Sequence, residues 1–103
     1  MCCHGCGALF FTMKKEFKDL CRRILHTYGV STQVDKCIEE MAELTLALEH
    51  LRAGRGSCEE VITEIADVLF TASQMAVFFG EDEVSAELQF KMERMEERMK
   101  NEQ

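Results

Sequence analysis

Apolar residues recur every three or four positions along several stretches of the chain, which is the spacing typical of amphipathic helices. The first stretch covers residues 9–28 and is followed by Gly29, which suits a helix end because glycine tolerates left-handed backbone geometry. The second stretch ends at about Arg52, and Ser31 or Thr32 is positioned to cap its start. This half of the chain is therefore predicted to form two long helices joined by a very short turn.

Two more helices are predicted after the glycine-containing segment that follows. Ser57 and Glu60 fit a capping box, in which the serine hydroxyl and the third-position glutamate each satisfy a backbone N–H group. The third helix is expected to stop at Gly80, and Asp82 is expected to cap the fourth. The fourth helix carries the apolar spacing of a coiled-coil seam at Leu88, Met92, Met95 and Met99.

The predicted fold is an all-α, antiparallel four-helix bundle, because short turns place consecutive helices side by side in opposite directions. No stretch alternates with a period of two, and the chain has no proline to interrupt a helix. Residues 1–8 show no helical period and are predicted to be a flexible, cysteine-rich N-terminus, with residues 9–103 forming one helical domain. The stripes expected to face the core are Val34, Ile38, Met41, Thr45, Leu48 and Leu51 in the second helix, and Val61, Ile65, Leu69, Ala72, Ala76 and Phe79 in the third.

The charge and the cysteines narrow the class of protein. A formal net charge of −7 argues against binding to a nucleic-acid backbone, which needs clustered basic residues. No apolar run approaches the roughly 18 residues of a membrane span, so no membrane partner is expected. No basic segment precedes a signal-like apolar run, so the cysteines are expected to be reduced thiols in a cytoplasmic protein.

The N-terminal segment holds a short motif that suggests metal chemistry outside the helices. Cys3 and Cys6 form a Cys-x-x-Cys pair, with His4 between them and Cys2 in front. Such a group can bind zinc or act in redox chemistry. A structural zinc site usually has a second ligand pair elsewhere, and the βαβ context of a redox motif is absent. We expect incidental thiols on a flexible tail.

The sequence contains two pairs of acidic residues, Glu40 with Glu43 and Glu64 with Asp67, and the members of each pair are three positions apart. Residues at this spacing share one side of a helix, and like charges there destabilise it. On a helical wheel Glu40 and Glu64 border the apolar stripes, while the other two acids lie one step further out. Antiparallel neighbours would bring the pairs face to face, and Mg²⁺ is the cation expected between them because it prefers oxygen ligands. The alternative is an ordinary solvated acidic face.

Glu39 directly precedes the first pair, so the acids read Glu39-Glu40-x-x-Glu43 and, after a gap, Glu64-x-x-Asp67. This arrangement resembles the EExxE…ExxD signature of the MazG-like all-α nucleoside triphosphate pyrophosphohydrolases, and the similarity extends over residues 36–98. The resemblance implies hydrolysis of a nucleoside or deoxynucleoside triphosphate to the monophosphate and pyrophosphate. It also implies a dependence on Mg²⁺, for which Mn²⁺ could substitute.

The resemblance further implies roles for individual residues. The four paired acids are expected to hold the metal, and Glu39 is expected to orient or deprotonate the attacking water. Lys91 and Arg94 on the last helix are expected to meet phosphate oxygens, unless they form a salt-paired solvated face. The family also implies homodimers or homotetramers with active sites near subunit contacts. The base-binding residues are not identified, and the possibilities are Phe17, His26, Tyr28 and Gln33.

Two other functions stay open. In a non-enzymatic helical interaction module, the acids would form a solvated or partner-binding face and the fourth helix would be a pairing seam. A phosphoribosyl-ATP pyrophosphohydrolase is related in fold, although no residue in the chain demands that substrate.

Overall fold

A computed structural model describes residues 13–102, and this part of the chain is entirely helical apart from short turns. The four helices are α1 (Lys15–Tyr28), α2 (Val30–Arg52), α3 (Cys58–Phe79) and α4 (Glu81–Asn101). No strand occurs within the described range, so the predicted all-α class is confirmed. The predicted N-terminal segment, with Cys2, Cys3, His4 and Cys6, lies outside the described residues. So do residues 9–12 of the first predicted helix, while Met13 and Lys14 precede α1.

Glycines end the helices where the sequence predicted, and they also begin the next helix. Gly29 has a φ of 90° and its N–H donates to the Leu25 carbonyl at 2.9 Å, which closes α1. Helix α2 then starts at the next residue, without any side-chain cap. The predicted caps Ser31 and Thr32 are therefore wrong, because glycine can adopt this φ and turn the chain within one residue.

Caps were also predicted for the starts of α3 and α4, and only the first of these predictions agrees with the structure. The Glu60 N–H donates to the Ser57 hydroxyl at 3.2 Å, so the predicted serine cap of α3 is confirmed. Helix α4 begins directly after Gly80, so the prediction that Asp82 caps it is wrong. Asp82 lies instead in the first turn, where a negative charge interacts favourably with the helix dipole.

Helices α2 and α3 share the most extensive contact in the described structure, and α1 packs on both. The start of α2 meets the end of α3 through a side-chain hydrogen bond between Gln33 and Gln74, so the two helices are antiparallel. The buried apolar side chains are mostly small, which allows close approach of the helices. They are Met13, Cys21, Leu25, Cys37, Ala47, Val61 and Ala76.

The predicted core stripes of α2 and α3 are mostly wrong for the single chain. Ile38 and Leu48 are 56% and 48% exposed, and Ile65 and Leu69 are exposed to a similar degree. The buried face of α2 is formed instead by Gln33, Cys37, Glu40 and Ala47. Both helices are apolar on more than one side, so periodicity alone does not decide which side meets the core.

Helix α4 stands apart from the core. It has no buried residue, and the predicted seam of Leu88, Met92, Met95 and Met99, called here the methionine row, has its methionines 41–50% exposed. An ion pair between Lys18 and Glu81 at 3.3 Å ties α1 to the first turn of α4. The seam of the fourth helix is therefore not packed into the core of the single chain.

Helix α3 is the most apolar helix among the described residues. By length and composition alone it could cross a membrane, although only 22% of its most apolar window is buried inside the structure. A core helix passes the same test, and α3 packs against both α1 and α2. Its acidic residues Glu64 and Asp67 lie on the side of α3 that faces α2, close to the polar side chains of that helix.

Candidate metal centre and adjoining cavity

Three of the four predicted metal ligands come together between α2 and α3. Glu40, Glu43 and Glu64 each offer a carboxylate oxygen, and these oxygens lie within 4.8 Å of one another. The short turn at residues 53–57 makes the helices antiparallel and brings the two acidic pairs opposite each other. Glu40 is buried at 6% exposure, Glu64 is half-buried and Glu43 is exposed. The three residues form what we call the carboxylate cluster.

Two oxygens of the carboxylate cluster are sealed from solvent without a hydrogen-bond partner. They are Glu40 Oε1 and Glu64 Oε1, the only such side-chain atoms among residues 13–102. Lys36 Nζ lies 3.2 Å from Glu40 Oε2, so it compensates one oxygen of that carboxylate and leaves the other bare. Because a sealed, unpaired polar atom is costly, the arrangement favours a cation that would supply the missing contact.

The closeness of the acidic groups in the carboxylate cluster, together with burial, raises the pKa values of two of its members. When Glu43 is protonated it can donate a hydrogen bond to Glu40, and this bond, followed by the negative charge of Glu40, raises the pKa of Glu43 above its usual 4.5. Burial, followed by the negative charges of Asp67 and Glu40, raises the pKa of Glu64. The metal-free site therefore retains protons more readily than free carboxylates do. A bound cation would compete with those protons.

Asp67 and Glu39 lie beside the carboxylate cluster rather than in it. Asp67 lines the neighbouring cavity together with Glu40. The exposed carboxylate of Glu39 contacts Lys36 at 3.4 Å. Lys36 thus bridges Glu39 and Glu40, and hydrogen bonds first with Glu40 and then with Glu39 raise its pKa. The lysine stays charged at the point where the acids meet the cavity.

A cavity of about 410 Å³ adjoins the carboxylate cluster. One end carries charged groups, and the other end carries the amides of Gln33 and Gln74, joined by a hydrogen bond of 2.7 Å. The walls between them are mainly apolar and aromatic. The lining residues are Ile24, Tyr28, Gln33, Lys36, Glu40, Asp67, Phe70, Thr71 and Gln74.

The polar side chains of the two helices form a matched pair of rows, called here the α2–α3 seam. Along α2 the row is Gln33, Lys36, Glu40 and Glu43, and along α3 it is Glu64, Asp67, Thr71 and Gln74. Both rows have the 3-4-3 spacing of one helix side, and they run in opposite directions. Amides consequently face amides at one end, and carboxylates face carboxylates at the other.

The remaining predicted site residues have other surroundings. Lys91 lies 4.0 Å from Glu87, and the Arg94 guanidinium lies over the Phe90 ring at 5.8 Å, so their described contacts are within α4. Their role in phosphate binding stays a prediction. Of the possible base contacts, Tyr28 and Gln33 line the cavity, Phe17 packs against Phe70 with ring centroids 6.1 Å apart, and His26 is exposed in the last turn of α1.

The sequence predictions missed Lys36, Phe70 and Gln74 as parts of the site. A signal for two of them was present, because Lys36 and Gln74 continue the 3-4-3 spacing of the acids along each helix. The metal-site prediction used only the acidic members of the rows, so Lys36 and Gln74 were left out of the site. Phe70 is one of several similar apolar residues in α3, and nothing in its spacing distinguishes it.

No protein-family model, no curated protein and no solved structure matches the chain.

Proposed function

We propose that the chain is a Mg²⁺-dependent nucleoside triphosphate pyrophosphohydrolase of the MazG-like kind, which cleaves a (deoxy)nucleoside triphosphate to the monophosphate and pyrophosphate. The observation that carries this proposal is the pair of sealed, unpartnered carboxylate oxygens of Glu40 and Glu64, beside a cavity of about 410 Å³. A solvated acidic face would not seal such oxygens, because their desolvation costs free energy without return.

The donor set fits a hard divalent cation. The carboxylate cluster offers only oxygen atoms, it provides three of them within 4.8 Å, and it carries excess negative charge. Glu40, Glu43 and Glu64 would hold Mg²⁺ or Mn²⁺, with Asp67 adjacent at the cavity wall. When bound, the cation neutralises phosphate charge and lowers the pKa of a bound water.

The residues around the carboxylate cluster have distinct roles in this proposal. Lys36 projects a cation into the cavity lining next to Glu40 and can bind a phosphate oxygen there. Glu39 is an exposed carboxylate outside the cluster that contacts Lys36, and in this proposal it accepts the proton of the attacking water. The water oxygen bonds to phosphorus, the bond between the α and β phosphates breaks, and pyrophosphate leaves.

A second copy of the chain is part of the same proposal. Methionines of the methionine row are exposed on α4, and Ile38, Leu48 and Leu69 are exposed on α2 and α3. Soluble monomers rarely expose so many large apolar side chains together. A homodimer or homotetramer would cover these surfaces, and size measurement by light scattering tests this directly. A monodisperse monomer at micromolar concentration contradicts this part of the proposal.

A pyrophosphate-release assay with Mg²⁺ across common and modified nucleoside triphosphates tests the enzymatic proposal. We expect turnover of at least one nucleotide, and its loss in Glu64→Gln and Asp67→Asn while the helical circular dichroism is retained. Glu49→Gln is the matched control, since Glu49 is exposed on α2 and pairs with Arg52 rather than with the carboxylate cluster. Absence of turnover for every nucleotide, in a folded and metal-binding protein, would reject the proposed activity.

The rival function is a non-enzymatic helical interaction module, which the exposed apolar surfaces of α2, α3 and α4 favour. Calorimetric titration with Mg²⁺ and Mn²⁺ separates the two functions. The enzyme proposal requires binding that is weakened in Glu64→Gln, whereas the module requires no binding. A protein that associates but binds neither cation supports the module.

A further inference from the structure

The cavity ends in a buried polar contact that the proposed chemistry does not use. Gln33 and Gln74 are 8% and 1% exposed, and the Gln33 Nε2 group donates to Gln74 Oε1 at 2.7 Å. Both residues line the cavity. Buried glutamines need partners for all their polar groups, and one hydrogen bond uses only part of their capacity.

The unused capacity of the amide pair has a definite pattern. One carbonyl oxygen and one NH₂ group remain beyond the mutual hydrogen bond, whichever way round the two amides are oriented. Both residues line the cavity, so a ligand bound there would meet the remaining amide groups of Gln33 and Gln74. The cavity therefore presents an acceptor and a donor next to each other.

The surroundings of the amides suit a flat ring. Ile24, Tyr28 and Phe70 provide apolar and aromatic walls of the same cavity. Gln33 precedes Glu40 by seven residues, which is about 10 Å along the helix. A nucleotide has the same layout, with an aromatic ring that carries hydrogen-bonding groups on its edge, and with phosphates at the other end.

We propose that Gln33 and Gln74 together read the edge of the nucleobase, accepting a hydrogen bond from its donor and donating one to the adjacent acceptor. This inference rests on the proposed function, because that function places phosphates at the carboxylate cluster. It assigns the choice of ligand to two neutral residues, and it predicts a base whose recognised edge carries a donor beside an acceptor.

A structural explanation must be separated from this role, since the same hydrogen bond also holds α2 and α3 in register. The informative variant is the double substitution Gln33→Met with Gln74→Met. Replacing both partners by apolar groups of similar shape leaves no buried polar group unpaired, so the fold is expected to persist. Gln89→Met is the matched control, because Gln89 is an exposed glutamine whose amide donates to Glu93 on α4.

The test uses the nucleotide that is turned over best and its analogue methylated on the ring nitrogen of that edge (N3 of a pyrimidine or N1 of a purine). The full-length protein with Mg²⁺ should prefer the unmethylated nucleotide by about 10- to 100-fold in kcat/KM, the range expected when one buried hydrogen-bonding group is left unpaired. The double variant should lose this preference, mainly through KM, and Gln89→Met should keep it. Inorganic tripolyphosphate, which has no base, should inhibit all three proteins equally.

Two results would overturn the inference. One is a double variant that keeps the discrimination against methylation. The other is a double variant that loses affinity for nucleotide and for tripolyphosphate to the same degree, which would indicate that the glutamine pair only holds α2 and α3 in register. If no nucleotide is hydrolysed at all, the proposed function fails, and calorimetric binding of the methylated and unmethylated nucleoside monophosphates still tests the amides. Methyl-sensitive binding that the double variant loses supports the inference, and methyl-insensitive or absent binding rejects it.

Discussion

Replacing Glu40 by glutamine is predicted to have opposite effects on stability without and with Mg²⁺. One oxygen of Glu40 is sealed without a partner, and the other lies 3.2 Å from Lys36. Glutamine has nearly the same shape, removes the charge and adds an N–H group that can donate to the carboxylates of Glu43 or Glu64. The metal-free cluster is therefore expected to become less strained.

The size of the effect follows from the burial of Glu40, which is 6% exposed. A sealed polar group without a partner costs about 1–3 kcal/mol. Loss of the contact with half-exposed Lys36 offsets up to about 1 kcal/mol of the gain. The net stabilisation is therefore up to about 3 kcal/mol, and each kcal/mol would raise Tm by about 4–8 °C in a domain of this size. Mg²⁺ at a hundred times its Kd would stabilise the wild-type chain by about 2.7 kcal/mol.

Thermal unfolding at fixed protein concentration, in chelator and in a series of Mg²⁺ concentrations, measures both effects. The variant should unfold at the higher temperature in chelator, and the wild-type chain should overtake it as Mg²⁺ is added. Glu49→Gln makes the same charge change on the same helix at an exposed position, and it should leave the Mg²⁺ response intact. A variant that is less stable than wild type in chelator refutes the strain argument, and equal stabilisation of both by Mg²⁺ refutes Glu40 as a ligand.

Three further predictions follow from the helix ends, the titration and the surface. The raised pKa values of Glu43 and Glu64 mean that these two carboxyl groups hold more protons in the folded, metal-free chain than in the unfolded chain just above pH 4.5. Mg²⁺ affinity measured by calorimetry should therefore fall as the pH is lowered toward that value, and a pH-independent affinity would contradict this. Ser57→Ala removes the cap of α3 and should cost about 1 kcal/mol in urea unfolding, whereas an unchanged midpoint would mean that the cap is not needed. The unfolding midpoint should rise with protein concentration for wild type but less for Met95→Lys, since Met95 is 48% exposed in the methionine row; a midpoint independent of concentration argues against association through that row.

The helix boundaries show how far local chemistry can predict this fold. The ends at Gly29 and Gly80 and the cap at Ser57 depend on the residue itself and its nearest neighbours, and all three are confirmed. The caps predicted at Thr32 and Asp82 are wrong because each preceding glycine has a positive φ and starts the next helix at once. Polar side chains near a helix start do not reveal whether the backbone before them has already turned.

The core and the site differ in how much the sequence reveals. Ile38 and Cys37 are adjacent, yet Cys37 is buried and Ile38 is 56% exposed, because which side of an apolar helix is covered depends on its neighbours in space. The meeting of Glu40 with Glu64 was predictable from two acidic pairs on antiparallel helices. The Gln33–Gln74 contact was not identified, since neutral side chains carry no charge imbalance that demands a partner.

The length of the α2–α3 seam makes catalysis and selectivity separable in the proposed enzyme. The hydrogen-bonded pair Gln33–Gln74 lies two helical turns, about 10 Å, from Glu40, and the pair shares no hydrogen-bond partner with Glu40. Substitutions at that separation usually have additive effects. Gln33 and Gln74 could therefore be replaced by other residues, in evolution or by engineering, while the acidic residues stay unchanged. In the proposed enzyme, the two antiparallel helices would thus act as a modular scaffold, in which ligand preference can change while the reaction centre stays the same.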